Sequence, residues 1–111
     1  MRAAEKYKKI SRNISHALER DYAPERIVLF GSCVTGKQNM ESDIDLLIVK
    51  RTSQPFYKRL ATVRQIVSSM RAGMPFDPIV VTPRELALRL EMGDQFLADI
   101  LRSGKVLYAK P

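Results

Sequence analysis

Tyr7, Ile10, Ile14, Leu18 and Tyr22 recur at steps of three and four residues, the spacing that places side chains on one stripe of a helix. The pattern predicts an amphipathic helix from about Arg2 to Asp21, with Pro24 just beyond its end. The period then changes. Arg26 to Phe30 (RIVLF) is a short β-branched run that reads as a buried strand, and Gly31 to Ser42 follows as a polar loop. Ile44 to Val49 (IDLLIV) is apolar at consecutive positions apart from its acidic start, as expected of a central strand covered on both faces.

Pro55 opens a second helical pattern through Met70, with Leu60, Val63, Ile66 or Val67, and Met70 as its stripe and Gly73 as its terminator. A third strand is predicted over Phe76 to Val81. Thr82, Pro83 and Glu85 form a helix start: threonine caps, proline takes the first helical position, and glutamate closes a capping box. That short helix runs to about Met92 and is broken at Gly93. Asp94 caps a last helix through Arg102, Gly104 stops it, and Lys105 to Tyr108 add an edge strand. The expected fold class is α+β, a two-layer arrangement in which a small mixed sheet of three to four strands packs with helices.

Length and composition narrow the picture. With 111 residues, 45% of them hydrophobic and 28% charged, the chain has the make-up of one folded domain, and residues 1–111 are expected to form a single unit. No apolar run reaches the ~20 residues of a membrane span and the N-terminus has no signal-like apolar stretch, so a cytoplasmic protein is expected. One cysteine and one histidine make neither an internal disulfide nor a zinc ligand set, so any metal must be held by oxygen. The net charge of +7 is unevenly spread: Arg2, Lys6, Lys8, Lys9, Arg12 and Arg20 crowd the first helix. That face is either solvated or a surface for an anionic ligand or acidic partner.

The candidate chemistry lies in acids. Asp43 and Asp45 are two apart at the start of a strand, where period-two geometry aims both carboxylates to one side. Crowded carboxylates raise one another's pKa and call for cations, and hard oxygen ligands suit Mg²⁺. A loop returning from Gly31-Ser32 lets the second strand pair antiparallel with the first, so the glycine-serine turn shares an edge with the two acids. Gly31 permits close approach of the backbone to an anion, and the Ser32 hydroxyl can hold triphosphate oxygens. A helical crossover then sets the third strand parallel to the second, bringing Asp77 to the same edge. Two ions bridged by such acids suit an in-line displacement at phosphorus.

Phe30-Gly31-Ser32, ten residues, then Ser42-Asp43-Ile44-Asp45-Leu46-Leu47-Ile48 resembles the signature of the DNA polymerase β-like nucleotidyltransferase superfamily, in particular the minimal nucleotidyltransferases. Asp77, Val80-Val81-Thr82-Pro83 and Gly104-Lys105-Val106-Leu107-Tyr108 extend the likeness over nearly the whole chain. The resemblance implies that Asp43 and Asp45 bind two Mg²⁺ ions, that Asp77 is the third acid, which activates the acceptor hydroxyl, and that Gly31 and Ser32 bind the phosphates of ATP. It also implies a partner: small proteins of this type are often the antitoxins of HEPN-domain toxins, which they silence within a hetero-oligomer by transferring AMP to a toxin tyrosine. A non-catalytic antitoxin, or a nucleic-acid-binding module of the same fold, is the alternative. One departure is Pro78, which cannot donate to a sheet ladder and directly follows Asp77.

Four other signals carry less. Gly31 to Gln38 is one residue short of a Walker A loop, but Gln38 stands where a Mg²⁺-binding hydroxyl belongs and no cradling helix follows. Cys33 has no histidine other than His16 to activate it and reads as a small packing residue, while His16 falls on the polar side of the first helix. Lys37 either contacts a phosphate or is solvated.

Overall fold

The computed structural model describes residues 3–31, 34 and 43–111, with side chains described from Glu5 onward. Its elements in chain order are α1 (Ala3–Asp21), β1 (Arg26–Phe30), β2 (Ile44–Val49), α2 (Phe56–Val67), β3 (Phe76–Val81), α3 (Pro83–Glu91), α4 (Gln95–Ser103) and β4 (Lys105–Ala109). The strands form one mixed sheet in the order β3-β2-β1-β4. β1 pairs antiparallel with both β2 and β4, whereas β2 and β3 are parallel. This is the α+β arrangement that the pattern predicts, with β2 inside the sheet and β4 at an edge.

Helices cover both faces. On the first, Tyr7, Ile10, Ile14, Leu18 and Tyr22 of α1 and Val63 and Val67 of α2 bury against Ile27, Leu29, Ile44, Leu46, Ile48, Phe76 and Val80. On the second, Leu86 of α3 and Leu97 and Ile100 of α4 pack on Val28, Leu47, Val49 and Val81. Alternate residues of each strand serve alternate faces, which is why β1, β2 and β3 read as nearly unbroken apolar runs.

The helix ends follow their capping chemistry. Thr82 accepts from the Glu85 amide at 3.1 Å while the Thr82 amide donates to the Glu85 carboxylate at 2.8 Å, a complete capping box. Asp94 accepts from the Leu97 amide at 3.0 Å, and Gly104 ends α4. α2 departs from the expected span. Pro55 is its N-cap rather than its first helical residue, and the helix stops at Val67, not Met70. The Ser68 amide donates to Gln65 at 3.4 Å and the Met70 amide to Val67 at 2.9 Å, so the chain leaves the helix through tighter three-residue turns.

β3 is an outer strand, and its free edge is managed. The Ile44 amide donates to the Pro75 carbonyl at 2.8 Å and the Lys50 amide to the Val81 carbonyl at 2.9 Å. Alternation along the strand therefore turns odd-numbered polar groups toward β2 and even-numbered ones outward. Two arginines of α2 meet those outward carbonyls: Arg64 donates to Phe76 at 3.0 Å and Arg59 to Val80 at 3.3 Å. Pro78 lies between them on the outward side, where its missing N–H takes nothing from the ladder. Buried Arg59 also donates to the Gln54 carbonyl at 2.8 Å and to both oxygens of Glu85 at 2.7 and 3.1 Å. The same carboxylate thus caps α3 and ties it to α2.

Candidate metal centre

The register places the acids. Asp45 stands opposite Phe30 across the antiparallel β1–β2 pair and beside Asp77 across the parallel β2–β3 pair. Asp43 precedes Asp45 by two residues, just before β2 begins. Since Leu47 and Val49 of β2 and Val81 of β3 face α3 and α4, the same alternation directs Asp45 and Asp77 to that face, at the rim where β1 ends and β2 and β3 begin. Carboxylate oxygens from Asp43, Asp45 and Asp77 all lie within 4.8 Å of one another. Pro78 has not displaced Asp77, because a proline facing the open edge leaves the strand's register intact.

The electrostatics of the cluster are unbalanced. Asp45 is half-buried between two exposed acids, and its pKa is pushed up to about 6, first by burial and then by the charges of Asp77 and Asp43. A divalent cation resolves both causes, since it replaces lost hydration with coordination and opposes the accumulated negative charge. Three oxygen donors converging on one small volume therefore fit Mg²⁺, whose ligands they would supply.

Gly31 closes the other side of the cluster. It ends β1 with φ +79°, a left-handed conformation that suits glycine, and a Cβ built there would collide with the Asp45 carboxylate. The backbone thus rests directly against the central acid. Ser32, expected beside the acids, lies outside the described residues, as do Cys33 and residues 35–42, Lys37 among them. His16 is exposed on α1, on the opposite side of the sheet.

One component of this rim was not anticipated. Phe30, the cross-strand partner of Asp45, meets Phe96 of α4 edge to face, with ring centroids 5.9 Å apart and planes at 85°. Phe30 could have been noticed as the aromatic before the glycine turn. Phe96 carries no such signal, because only the packing of α4 across the sheet brings it there.

Comparison with known proteins agrees with this geometry. Residues 12–111 match the family described as "Polymerase beta, Nucleotidyltransferase". A protein of Methanocaldococcus jannaschii named "Putative protein adenylyltransferase MJ1305" is 34% identical over 85 residues, which cover 74% of this chain; the chain spans a little over half of that relative, 56% of its length. Two solved structures share the fold. A crystal structure of a toxin-antitoxin with AMP-PNP superposes with a TM-score of 0.58 at 24% identity, covering 89% of this chain and 73% of the other. A crystal structure described as a "putative nucleotidyltransferase" from Sulfolobus solfataricus superposes with a TM-score of 0.60 at 18% identity, covering 99% of this chain and 90% of the other. With its matched residues running from α1 through β4 and its acids gathered on one rim, the chain belongs to the polymerase β nucleotidyltransferase family.

Proposed function

We propose that this chain is a metal-dependent protein adenylyltransferase that moves AMP from MgATP to a tyrosine hydroxyl of a cognate HEPN-domain toxin, acting as that toxin's antitoxin in the cytoplasm. The observation that carries the reading is the meeting of Asp43, Asp45 and Asp77 within 4.8 Å on one rim. The relative named for protein adenylylation supports a protein acceptor, and the toxin-antitoxin neighbour supports a toxin as the partner.

In this reading Asp43 and Asp45 hold two Mg²⁺ ions, with Asp77 as a further ligand. When bound, the ions neutralise the triphosphate and the charge that develops on the attacking and leaving oxygens. Gly31 gives the phosphates close access to the backbone beside Asp45, and Ser32 adds its hydroxyl and amide. The acceptor oxygen attacks the α-phosphorus, the bond from that phosphorus to the β-phosphate bridge breaks, pyrophosphate leaves, and an Oδ atom of Asp77 takes the hydroxyl proton. Held in line, the acceptor and the α-phosphate react as neighbours rather than as independent solutes.

The test incubates the protein with labelled ATP, Mg²⁺ and the toxin, and reads the toxin by intact-mass analysis. AMP adducts that vanish with Asp45→Asn and with phenylalanine at the acceptor tyrosine support the proposal; a toxin of unchanged mass overturns it.

A second reading, neutralisation by docking alone, draws on the basic face of α1. Lys8, Lys9 and Arg12 are exposed there, and Lys6 and Lys9 line a cleft of about 470 Å³ with Asn13, Ser69 and Met70. α1 covers the face of the sheet turned away from the acids. Inhibition of the toxin that survives loss of Asp43 and Asp45 and needs neither Mg²⁺ nor nucleotide would favour it over transfer.

A further inference from the structure

Phe96 of α4 is 55% exposed, yet its ring has a fixed aromatic partner. It is not loosely placed. Its ring packs edge to face on Phe30 at 5.9 Å between centroids, and its neighbour in the chain, Leu97, is 1% exposed and anchors α4 to the sheet. Phe30 in turn stands directly opposite Asp45, so the two side chains leave the same face of the sheet with Cβ atoms ~5 Å apart. An ordered, open aromatic surface therefore stands one ring beyond the residue that flanks the acids.

We propose that Phe96, braced by Phe30, is the platform on which the base of the nucleotide donor stacks while its phosphates lie at the acid rim. The inference rests on the nucleotidyl-transfer reading and adds the residue that grips the donor at the end opposite its phosphates. Two features favour a nucleobase here. Every base has a flat π-face that an aromatic side chain can meet whatever its hydrogen-bonding pattern, so a single exposed ring suffices for binding. The step from Asp45 across Phe30 to Phe96 also matches the order of parts in a nucleotide, phosphates first and base farthest from the metal. An acceptor hydroxyl, by contrast, must come into contact with the α-phosphorus itself, and a ring set one side chain back from the acids is poorly placed to guide it.

The stack acts on the donor before any acceptor arrives, which gives it a readout independent of turnover. Binding of ATP and of inorganic tripolyphosphate, each with Mg²⁺, is measured by calorimetry on the full chain and on Phe96→Ala, Phe96→Leu and Phe96→Tyr. The expected result is that wild type binds ATP more tightly than tripolyphosphate. Phe96→Ala and Phe96→Leu should each weaken ATP about tenfold and leave tripolyphosphate unchanged, while Phe96→Tyr keeps most of the ATP affinity. Phe96 is half open to solvent, so the variants should fold, and a thermal melt checks that they do. Equal ATP affinity in wild type and Phe96→Ala overturns the platform and leaves the acid site untouched. An equal loss for ATP and tripolyphosphate also overturns it, since the effect would then be on the phosphate end. Binding of neither ligand by wild type brings down the nucleotidyl-transfer reading and the platform with it.

Discussion

The two faces of the sheet are built differently. On one, α1 and α2 seal a core in which Tyr7, Ile14, Leu18, Leu46 and Val63 have almost no exposure. On the other, α3 buries only Leu86 and α4 only Leu97 and Ile100. The acids stand at the rim of that thinly covered face. The difference teaches a division of labour: the sealed face supplies the stability that lets the open face hold three mutually repelling carboxylates near one point.

The sharpest way to break that division is to remove charge from the open face. Asp45→Asn should lower nucleotidyl transfer by at least about two orders of magnitude, because the stabilisation of transition-state charge is lost. Without metal the variant should nevertheless melt no lower than the parent, since it relieves repulsion rather than removing packing. A mass-resolved transfer assay run beside calorimetric melting separates the two effects, and a variant that keeps its activity would sink the assignment.

The converse change lies on the sealed face. Leu18 is wholly buried, and Leu18→Ala should cost about 2–5 kcal/mol through lost burial and an unfilled cavity. Leu88→Ala, at 55% exposure on the open face, should fall within about 0.5 kcal/mol of the parent. Urea unfolding of the pair measures the contrast directly; similar losses would show that α3 shares the load after all.

Gly31→Ala probes the join between the faces with a smaller effect. The left-handed φ alone costs an alanine about 1 kcal/mol, and the new Cβ must push the Asp45 carboxylate aside. Stability should fall modestly and Mg²⁺ affinity with it, as read by urea unfolding and by calorimetric titration of the ion. Unchanged metal binding would mean that the contact between turn and acid is incidental.

Much of this arrangement was legible in the sequence, for local reasons. β1, β2 and β3 begin and end where apolar runs meet polar neighbours, and the capping box of Thr82 and Glu85 is a pattern of adjacent residues. The convergence of Asp43, Asp45 and Asp77 followed from alternation plus a crossover helix, both of which act at short range. The end of α2 was not legible, because Met70 continues the apolar spacing while the backbone changes from four-residue to three-residue turns. Nor was the grip of Arg59 on Glu85, or of Phe96 on Phe30, since each joins elements distant in the chain that only tertiary packing sets side by side.

The smallest effect is the dependence of stability on pH, and its sign separates the open face from the capping network. Asp45 binds its proton more tightly folded than unfolded, its pKa being raised from 3.8 to about 6. Its contribution to stability is therefore complete below its ordinary value and lost as pH rises through about 6. Glu85 has the opposite sign: the hydrogen bonds from Arg59 hold its carboxyl below the usual range, so its contribution is present above 4.5 and lost as pH falls. In metal-free protein, the melting temperature of Asp45→Asn relative to wild type should accordingly climb between about pH 4 and pH 6 and then level off, whereas the difference for Glu85→Gln should grow more negative as the carboxylate ionises. Solvent at the half-exposed Asp45 keeps the first effect small. Mg²⁺ should reverse its sign at neutral pH, because a cation held by the wild-type acids binds only the folded state. Parallel profiles for wild type and Asp45→Asn, with and without the ion, would mean that the repulsion among the three acids is already relieved by water, and that the open face owes the sealed one less than its geometry suggests.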